Sequence, residues 1–569
     1  MSWKTTILIG GVQGEGVAST GINLMKSLSG IGYYAYGERK FSSRIKGGNT
    51  HILITISDEP VTCVTSGVDL ILAFDHETVE DNRQMLSENG IIMADEELKL
   101  EDEEIISLPL TKLAKEHGSL LMKNTCAIGF LGKMLHINRV ILEASIEKTY
   151  QRKGETVVME NIRVLRAAYD IPVMMKKELK GLPVHSHSEK ALMMLMGNDA
   201  IALGALVAGC RFVAAYPITP ASDVMEIMSR VLPEEEGLMI QAEDEIAAVT
   251  MCIGASYAGV RSMTATSGPG LTLMMEGLGL AGITETPLVV VDAQRSGPST
   301  GMPTRNEQSD LASLYHAGHG EFPIIILTPS TLEECYQLTV EAFNLAEEYQ
   351  CPVMLLSDLN LSLSPQTIPA IEFHPPVINR GLMASDSVLT TDNSDSFKRY
   401  ALTDSGISPR AFPGTRGGIH KVTGLEHTVT GRPTDRKQNR VAMMDKRHRK
   451  MKALEEVDGI ALYEQKSDVL CLTFGSNWGV LETAVKEHGV NVDIARITRI
   501  KPLPVSQLKG LLSNYRKIVI MEQNQKGQLA GILKQELGFN EQIVSLTKYD
   551  GEAFRTRDVA EELQRWCKQ

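Results

Sequence analysis

The sequence predicts a multidomain α/β protein, and three observations predict it. At 569 residues the chain is too long for one hydrophobic core, so three to five domains are expected at roughly 100–200 residues each. Short apolar runs such as TTILIGG, HILITIS, LILAFD and GIIMAD recur with helical stretches between them. That alternation implies parallel sheets covered by helices. Glycine-rich turns lead from such runs into helices, as in GGVQGEGVASTGINLMKSL.

The elements group into four regions. Residues 1–180 hold the first strand–helix alternation and read as a parallel α/β layer. A break follows at GLPVHSHSEKA (181–191). Residues 192–370 begin with ALMMLMGNDAIALGALVAGC, which reads as a helix pair. Then come the strand and turn RFVAAYPITP, the strand and helix LMIQAEDEIAAVTMCIGASYAG, the strand and loop VRSMTATSGPG, the helix LTLMMEGLGLAG, and the strand and long loop PLVVVDAQRSGPSTGMPT. In the helix, Ile246, Val249, Ile253 and Tyr257 are spaced along one face. PIIILTP and PVMLLSD continue the rhythm. Residues 371–454 lose periodicity until the charged helix DKRHRKMKALEEVD, and so long an irregular stretch reads as a functional loop or linker. Residues 455–569 alternate again, in SDVLCLTFGS, VNVDIARI and YRKIVIMEQN.

Composition narrows the function. A net charge of −13 argues against non-specific nucleic-acid binding, which needs basic patches for phosphates. The start, MSWKTTILIGG, is not a signal peptide, and no apolar run is long enough to span a membrane. A cytoplasmic protein is expected. The eight cysteines are scattered with no C-x-x-C pair, so they read as reduced core thiols, and no zinc or iron–sulfur site is expected in this chain.

Several motifs carry chemistry, each beside a plainer reading. GGVQGEGVAST resembles a nucleotide-binding turn, but the G-x-G-x-x-G spacing is not met and Glu15 adds negative charge, so a tight turn without ligand is equally open. HSHSEK reads as a solvated linker. The triplet Glu243, Asp244 and Glu245 suits a helix start; it also puts a carboxylate at the edge of a sheet, where α/β folds bind ligands. SGPG (267–270) can approach a ligand or be a turn. Arg295 ends the run VVVDAQ and enters a loop of small and hydroxyl residues. It is suited to gripping a carboxylate, or to a salt bridge with the acidic triplet. In YPITP, each proline disfavours a helical conformation in the residue before it, and Pro220 suits a first helical position, which makes Thr219 the expected N-cap.

AYPITP, IQAEDEIAA…GASYAG…TATSGPG and VVDAQRSGPSTGMPT, in this order, resemble the alpha subunit of 2-oxoacid:ferredoxin oxidoreductases. Region 455–569 resembles that family's transketolase C-terminal-like domain, and region 1–180 its gamma module, fused ahead of alpha. The resemblance implies a thiamine-diphosphate-binding, transketolase-like pyrimidine fold in 192–370. It implies oxidative decarboxylation of a 2-oxoacid with coenzyme A and electron transfer to ferredoxin. The fused order is that of the 2-oxoglutarate-type enzymes, with pyruvate or a branched-chain oxoacid as the alternative. Thr219 and Arg295 would contact the substrate carboxylate and keto group, and Thr304 would line the pocket. Glu243 would hydrogen-bond the cofactor's aminopyrimidine ring, with Ser267 and Gly268 also on the cofactor. In RIKGGNTH, which resembles a recurrent gamma loop, Arg44, Lys46 and Asn49 are candidates for coenzyme A. The family's GDG…N diphosphate motif and iron–sulfur cysteines, found in its beta subunit, are missing here. The resemblance therefore implies a beta partner that holds Mg2+ and the cluster, shares thiamine diphosphate at the interface, and assembles as two alpha and two beta chains. Two other readings remain: a non-catalytic assembly subunit, and a transketolase-type enzyme without electron transfer. Intact Thr219, Glu243 and Arg295 speak against the first, and the gamma-like start against the second.

Overall fold

The computed structural model describes residues 3–41, 48–65, 67–173, 182, 192–370, 376–385, 389 and 397–568. The chain divides into two units. One comprises Met1–Met196, Leu363–Glu372 and Arg555–Val559; the other Gly197–Ser362, Phe373–Phe554 and Ala560–Gln569. The architecture is α/β in both. No helix among the described residues is long and apolar enough to cross a membrane.

Strands are numbered in chain order. The first unit holds β1 (Lys4–Val12), β2 (Tyr34–Lys40), β3 (Asn49–Ser57), β4 (Val68–Ala73), β5 (Leu86–Asp95), β6 (Ile105–Leu108), β7 (Leu192–Leu195) and, after six strands of the second unit, β14 (Gln366–Pro369). They form one sheet in the order β6-β5-β4-β1-β3-β2-β14-β7. The expected parallel layer is corrected here. The β1, β4, β5, β6 side is parallel, but β3 runs antiparallel to both β1 and β2. The short connection between β2 and β3 leaves no room for a helical crossover, and an antiparallel neighbour needs only a hairpin. Ile7 and Ile9 enter one core with Leu24 and Leu28, while Leu8 enters the core of the opposite face with Ile71 and Val79. A strand buried on both sides reads as an unbroken apolar run.

A helix pair was expected at residues 191–210, but β7 and the single helix Gly197–Val207 stand there instead. Four apolar residues in a row carry no period that separates strand from helix. β7 is resolved by pairing with β14.

The second unit contains β8 (Phe212–Ala215), β9 (Leu238–Gln241), β10 (Ser262–Thr266), β11 (Leu288–Gln294), β12 (Ile325–Leu327), β13 (Pro352–Asp358) and β18 (Arg499–Lys501), ordered β18-β12-β13-β11-β10-β8-β9. All neighbours are parallel except β18 against β12. From β8 the chain moves outward to β9, then crosses to β10 on the other side of β8. That reversal creates a crevice beyond the carboxyl ends of β8 and β10, the place where open α/β sheets bind ligands. A second sheet follows from β15 (Ile460–Tyr463), β16 (Val469–Thr473), β17 (Asp493–Ile497), β19 (Lys517–Glu522) and β20 (Ile543–Thr547), ordered β15-β17-β16-β19-β20. One apolar core runs from Val290 and Leu278 to Leu472 and Ile520 and joins the two sheets. Buried Gln308 bridges the two parts: its Nε2 donates to Asp358 (2.9 Å) and to the Phe474 carbonyl (3.1 Å), and its Oε1 accepts from Asn477 (2.8 Å).

The described residues between 376 and 449 have little regular structure before the helix Lys437–Arg449, yet buried charges hold them to the second unit. Lys446 Nζ lies 2.6 and 2.7 Å from the two Glu285 oxygens, and Lys450 Nζ lies 2.6 Å from Oε2. Glu347 receives Arg380 (3.1 Å) and Arg410. The two ammonium groups hold the Glu285 carboxyl well below its ordinary pKa against the opposing effect of burial. Its contribution to stability is therefore complete above the ordinary glutamate pKa and lost only as pH falls through the lower folded value. At neutral pH, Glu285→Gln strands two buried ammonium groups and is expected to cost about 3–5 kcal/mol, read as a lower denaturant midpoint for the second unit.

Candidate active site

The sheet register places the candidate residues. Met239, Val213, Met263 and Val289 share one rung across β9, β8, β10 and β11. Glu243 and Ser267 each lie four residues past that rung, and Thr219 and Arg295 each lie six past it. All four therefore stand at the carboxyl edge of the sheet, flanking the reversal between β8 and β10.

Arg295 is 7% exposed. Its Nη1 donates to the Thr219 carbonyl at 2.7 Å, and its Nε has no hydrogen-bond partner. Burial lowers its pKa, with Asp310 opposing the shift. Among the described residues Arg295 pairs with no member of the acidic triplet. Thr219 is not an N-cap: the helix Ser222–Val231 starts after Ala221, with no side-chain capping bond. The Thr219–Pro220 bond is cis, and the Pro220 carbonyl accepts from buried Asn198 at 2.8 Å. The turn is thus held through its backbone. The loop after Arg295 closes on itself, with Ser296 N–H donating to the Arg305 carbonyl (3.0 Å) and Met302 N–H to the Ser296 carbonyl (3.1 Å). This brings half-buried Thr304 back toward the strand end.

The acidic triplet separates into three roles. Asp244 caps the helix Glu245–Tyr257, accepting from Ala247 N–H at 2.7 Å. Glu245 is buried, and a Cβ on Gly270 would lie 2.5 Å from its Oε1. Glu243 is exposed at the edge of the sheet. Of the four residues read as one helix face, Val249 and Ile253 are buried, whereas Ile246 in the first turn is 53% exposed. Ser267 precedes the helix Gly268–Ile283 at the N-cap position, but its fully buried hydroxyl makes no capping bond and has no partner. An N-cap serine ordinarily spends its oxygen on the first turn. An unspent hydroxyl and an accessible carboxylate on the same edge fit a polar heterocycle that needs one donor and one acceptor.

The first unit answers the glycine-rich turn differently. Glu15 Oε2 accepts the Val12 N–H at 3.1 Å, so the turn supplies its own anion. Lys123 stands behind it, 3.1 Å from buried Asp95 and 3.9 Å from Glu15. Asn49 donates to Thr78 Oγ1 at 3.0 Å and to Asp75 at 3.4 Å. Arg44, Lys46 and HSHSEK lie outside the described residues.

Sequence reasoning missed two groups. Asp292, inside β11, is fully buried with neither carboxylate oxygen hydrogen-bonded, and Asp310 has one unpartnered buried oxygen. An acid inside the run LVVVDAQ was the available signal, since such acids are rarely buried unpaired.

Residues 203–446 match the family model described as pyruvate flavodoxin/ferredoxin oxidoreductase, thiamine diP-binding, and residues 6–171 match pyruvate ferredoxin/flavodoxin oxidoreductase. The second unit is thus of the thiamine-diphosphate-binding class. The chain is 33% identical to the 2-oxoacid:ferredoxin oxidoreductase subunit alpha of a Sulfolobus species, over 99% of this chain and 96% of that one. It is 36% identical to the 2-oxoglutarate synthase subunit KorA of Methanothermobacter thermautotrophicus, over 64% of this chain and 96% of that one. Among solved structures, 2-oxoglutarate:ferredoxin oxidoreductase from Magnetococcus marinus, with 2-oxoglutarate, coenzyme A and succinyl-CoA bound, superimposes with a TM-score of 0.91 at 34% identity, covering 99% of each chain. The chain belongs to the 2-oxoacid:ferredoxin oxidoreductase family, as an alpha-type subunit.

Because the Arg295 bond is to the backbone of Thr219 and the side chain caps no helix, Thr219→Ala is expected to change stability by less than about 0.5 kcal/mol. Denaturant unfolding of the variant checks this, and a loss of more than about 1 kcal/mol would refute it.

Proposed function

We propose that this chain is the alpha-type subunit, with a fused gamma-type module in 1–180, of an enzyme that oxidatively decarboxylates 2-oxoglutarate. Coenzyme A takes the acyl group, CO2 leaves, and ferredoxin takes the electron pair. In this reading 192–370 is the pyrimidine-type catalytic domain, 455–569 the transketolase C-terminal-like domain, and 371–454 the segment joining them. The observation that carries the reading is Arg295, a buried guanidinium with Nη1 tied to a backbone carbonyl and Nε unspent, at the reversal of the sheet. Such a group binds and orients a carboxylate through parallel hydrogen bonds. The names of the relatives from Methanothermobacter and Magnetococcus support 2-oxoglutarate over pyruvate or branched-chain oxoacids.

Thiamine diphosphate, when bound, supplies the carbanion nucleophile and the electron sink. On this chain, Glu243 would hold a proton against the aminopyrimidine ring, Ser267 and Gly268 would border it, and Thr219 and Thr304 would flank the oxoacid. A beta subunit would complete the site, in an assembly of two alpha and two beta chains. Glu243 is exposed, and so are Ile246 (53%) and Met251 (40%) on the helix Glu245–Tyr257 and Leu273 (51%) on the helix Gly268–Ile283. Helices as uniformly apolar as Glu245–Tyr257 and Gly268–Ile283 are expected to be covered on every side. We assign Mg2+ and the iron–sulfur cluster to that subunit, since this sequence has no GDG motif and no close-spaced cysteines. Coenzyme A is assigned to the gamma-type module, and the complex to the cytoplasm.

The complex purified with its beta partner is expected to reduce a viologen dye with 2-oxoglutarate in preference to pyruvate or branched-chain oxoacids; no activity with any oxoacid would leave a non-catalytic assembly role. Arg295→Ala is expected to lower kcat/KM about 100- to 1000-fold, the loss of a buried charge-assisted contact. Glu243→Gln is expected to lower kcat at least about 100-fold, the scale of positioned proton transfer.

A further inference from the structure

At the end of β11 and the close of the loop that Arg295 begins lie two acids that the proposed reaction does not use, one fully buried and one half-buried. Asp292 sits on β11 beside Thr266 of β10. It is fully buried, and both carboxylate oxygens are without a hydrogen-bond partner. Asp310 follows the loop that Arg295 begins. Its backbone N–H donates to Gln294 Oε1 at 3.1 Å. A Cβ on Gly268 would lie 2.5 and 2.7 Å from its two oxygens, so its carboxylate lies against the first residue of the helix Gly268–Ile283. Its Oδ2 is buried without a partner.

We propose that Asp292 and Asp310 share a proton as positioning residues behind Arg295, so that binding an anionic 2-oxoacid at Arg295 is accompanied by uptake of one proton by the pair. This rests on the reading of Arg295 as the carboxylate receiver. Two interacting carboxylates whose buried oxygens are short of donors do not both ionise. Burial and Asp310 drive the Asp292 pKa well up. Burial and Glu307 push Asp310 up to about 7, against the opposing pull of Arg295 and of the Gly268 N–H. The charged groups about the pair are therefore Arg295 and Glu307, with Glu245 at Gly270 in the same first helical turn.

The charges decide the sign. In the empty site the guanidinium balances the single negative charge of the pair. A substrate carboxylate takes over that balance, and the pair is left with an uncompensated buried charge. It gains a proton from solvent on a carboxylate oxygen, with no other bond made or broken. Below about pH 7 the pair is already doubly protonated, and binding releases or takes up nothing. Above it, affinity falls by up to about tenfold per pH unit.

The test is calorimetric titration of 2-oxoglutarate into the alpha–beta complex prepared without thiamine diphosphate, so that the oxoacid binds and cannot decarboxylate. Heats in two buffers of different ionisation enthalpy count the protons. Close to one proton taken up at about pH 8 and close to none at about pH 6 is the expected result. Asp310→Asn is expected to abolish the uptake at the higher pH and to flatten the pH dependence of KM. Binding without proton uptake at about pH 8 overturns the inference on the unaltered enzyme alone. Uptake that persists unchanged in Asp310→Asn also overturns it. Absence of binding overturns the reading of Arg295 and this inference with it.

Discussion

The hydrogen bond from Arg295 Nη1 to the Thr219 carbonyl (2.7 Å) links the loops after β11 and β8, two strands separated in the sheet by β10. The guanidinium therefore spans the crevice where the strand order reverses. The loop of β10, with Ser267 and Gly268, lies between the two tied loops in the sheet order. Everything else at this edge depends on that link. It fixes where the unspent Nε stands. Its acceptor is a backbone atom, so the geometry survives a change of side chain at Thr219.

Three buried acids of the second unit show how differently the same cost is met. Glu285 is surrounded by Lys446 and Lys450, with Arg399 Nη2 donating to its backbone carbonyl at 2.7 Å. Glu347 collects Arg380 and Arg410. Glu285 is satisfied, and Glu347 is ion-paired although its Oε2 has no hydrogen-bond partner; both fasten the irregular segment to regular elements, and their role is architectural. Asp292 has no such company. A buried carboxylate without donors costs several kcal/mol if ionised and persists by holding a proton. Unsatisfied buried groups gather at functional sites, where the stability they forfeit serves chemistry.

Much of the site was legible from the linear chain. Thr219, Glu243, Ser267 and Arg295 each follow an apolar run, and in a parallel α/β fold the residues following such runs converge on one edge. The fold class was legible for the same reason. The acidic triplet was not separable, because the identity of a residue does not say whether its side chain caps, packs or faces out; only the φ of Asp244 and the burial of Glu245 do. The expected N-cap at Thr219 failed because the turn runs on to Ala221 before the helix begins. The unpaired state of Asp292 and Asp310 was invisible, since the lack of a donor is a property of the surroundings.

The sequence by itself determined the α/β class, the family and the residues at the strand ends, because apolar periodicity and short motifs are local and survive being read in a line. Only the tertiary structure decided that β3 runs antiparallel to its neighbours, that β7 pairs with a strand from far along the chain, that Glu15 fills its own turn, and that Asp292 lies buried without a donor. Strand direction, long-range pairing and the supply of donors are all settled by which distant segments share a core, and that is fixed only when the chain closes on itself.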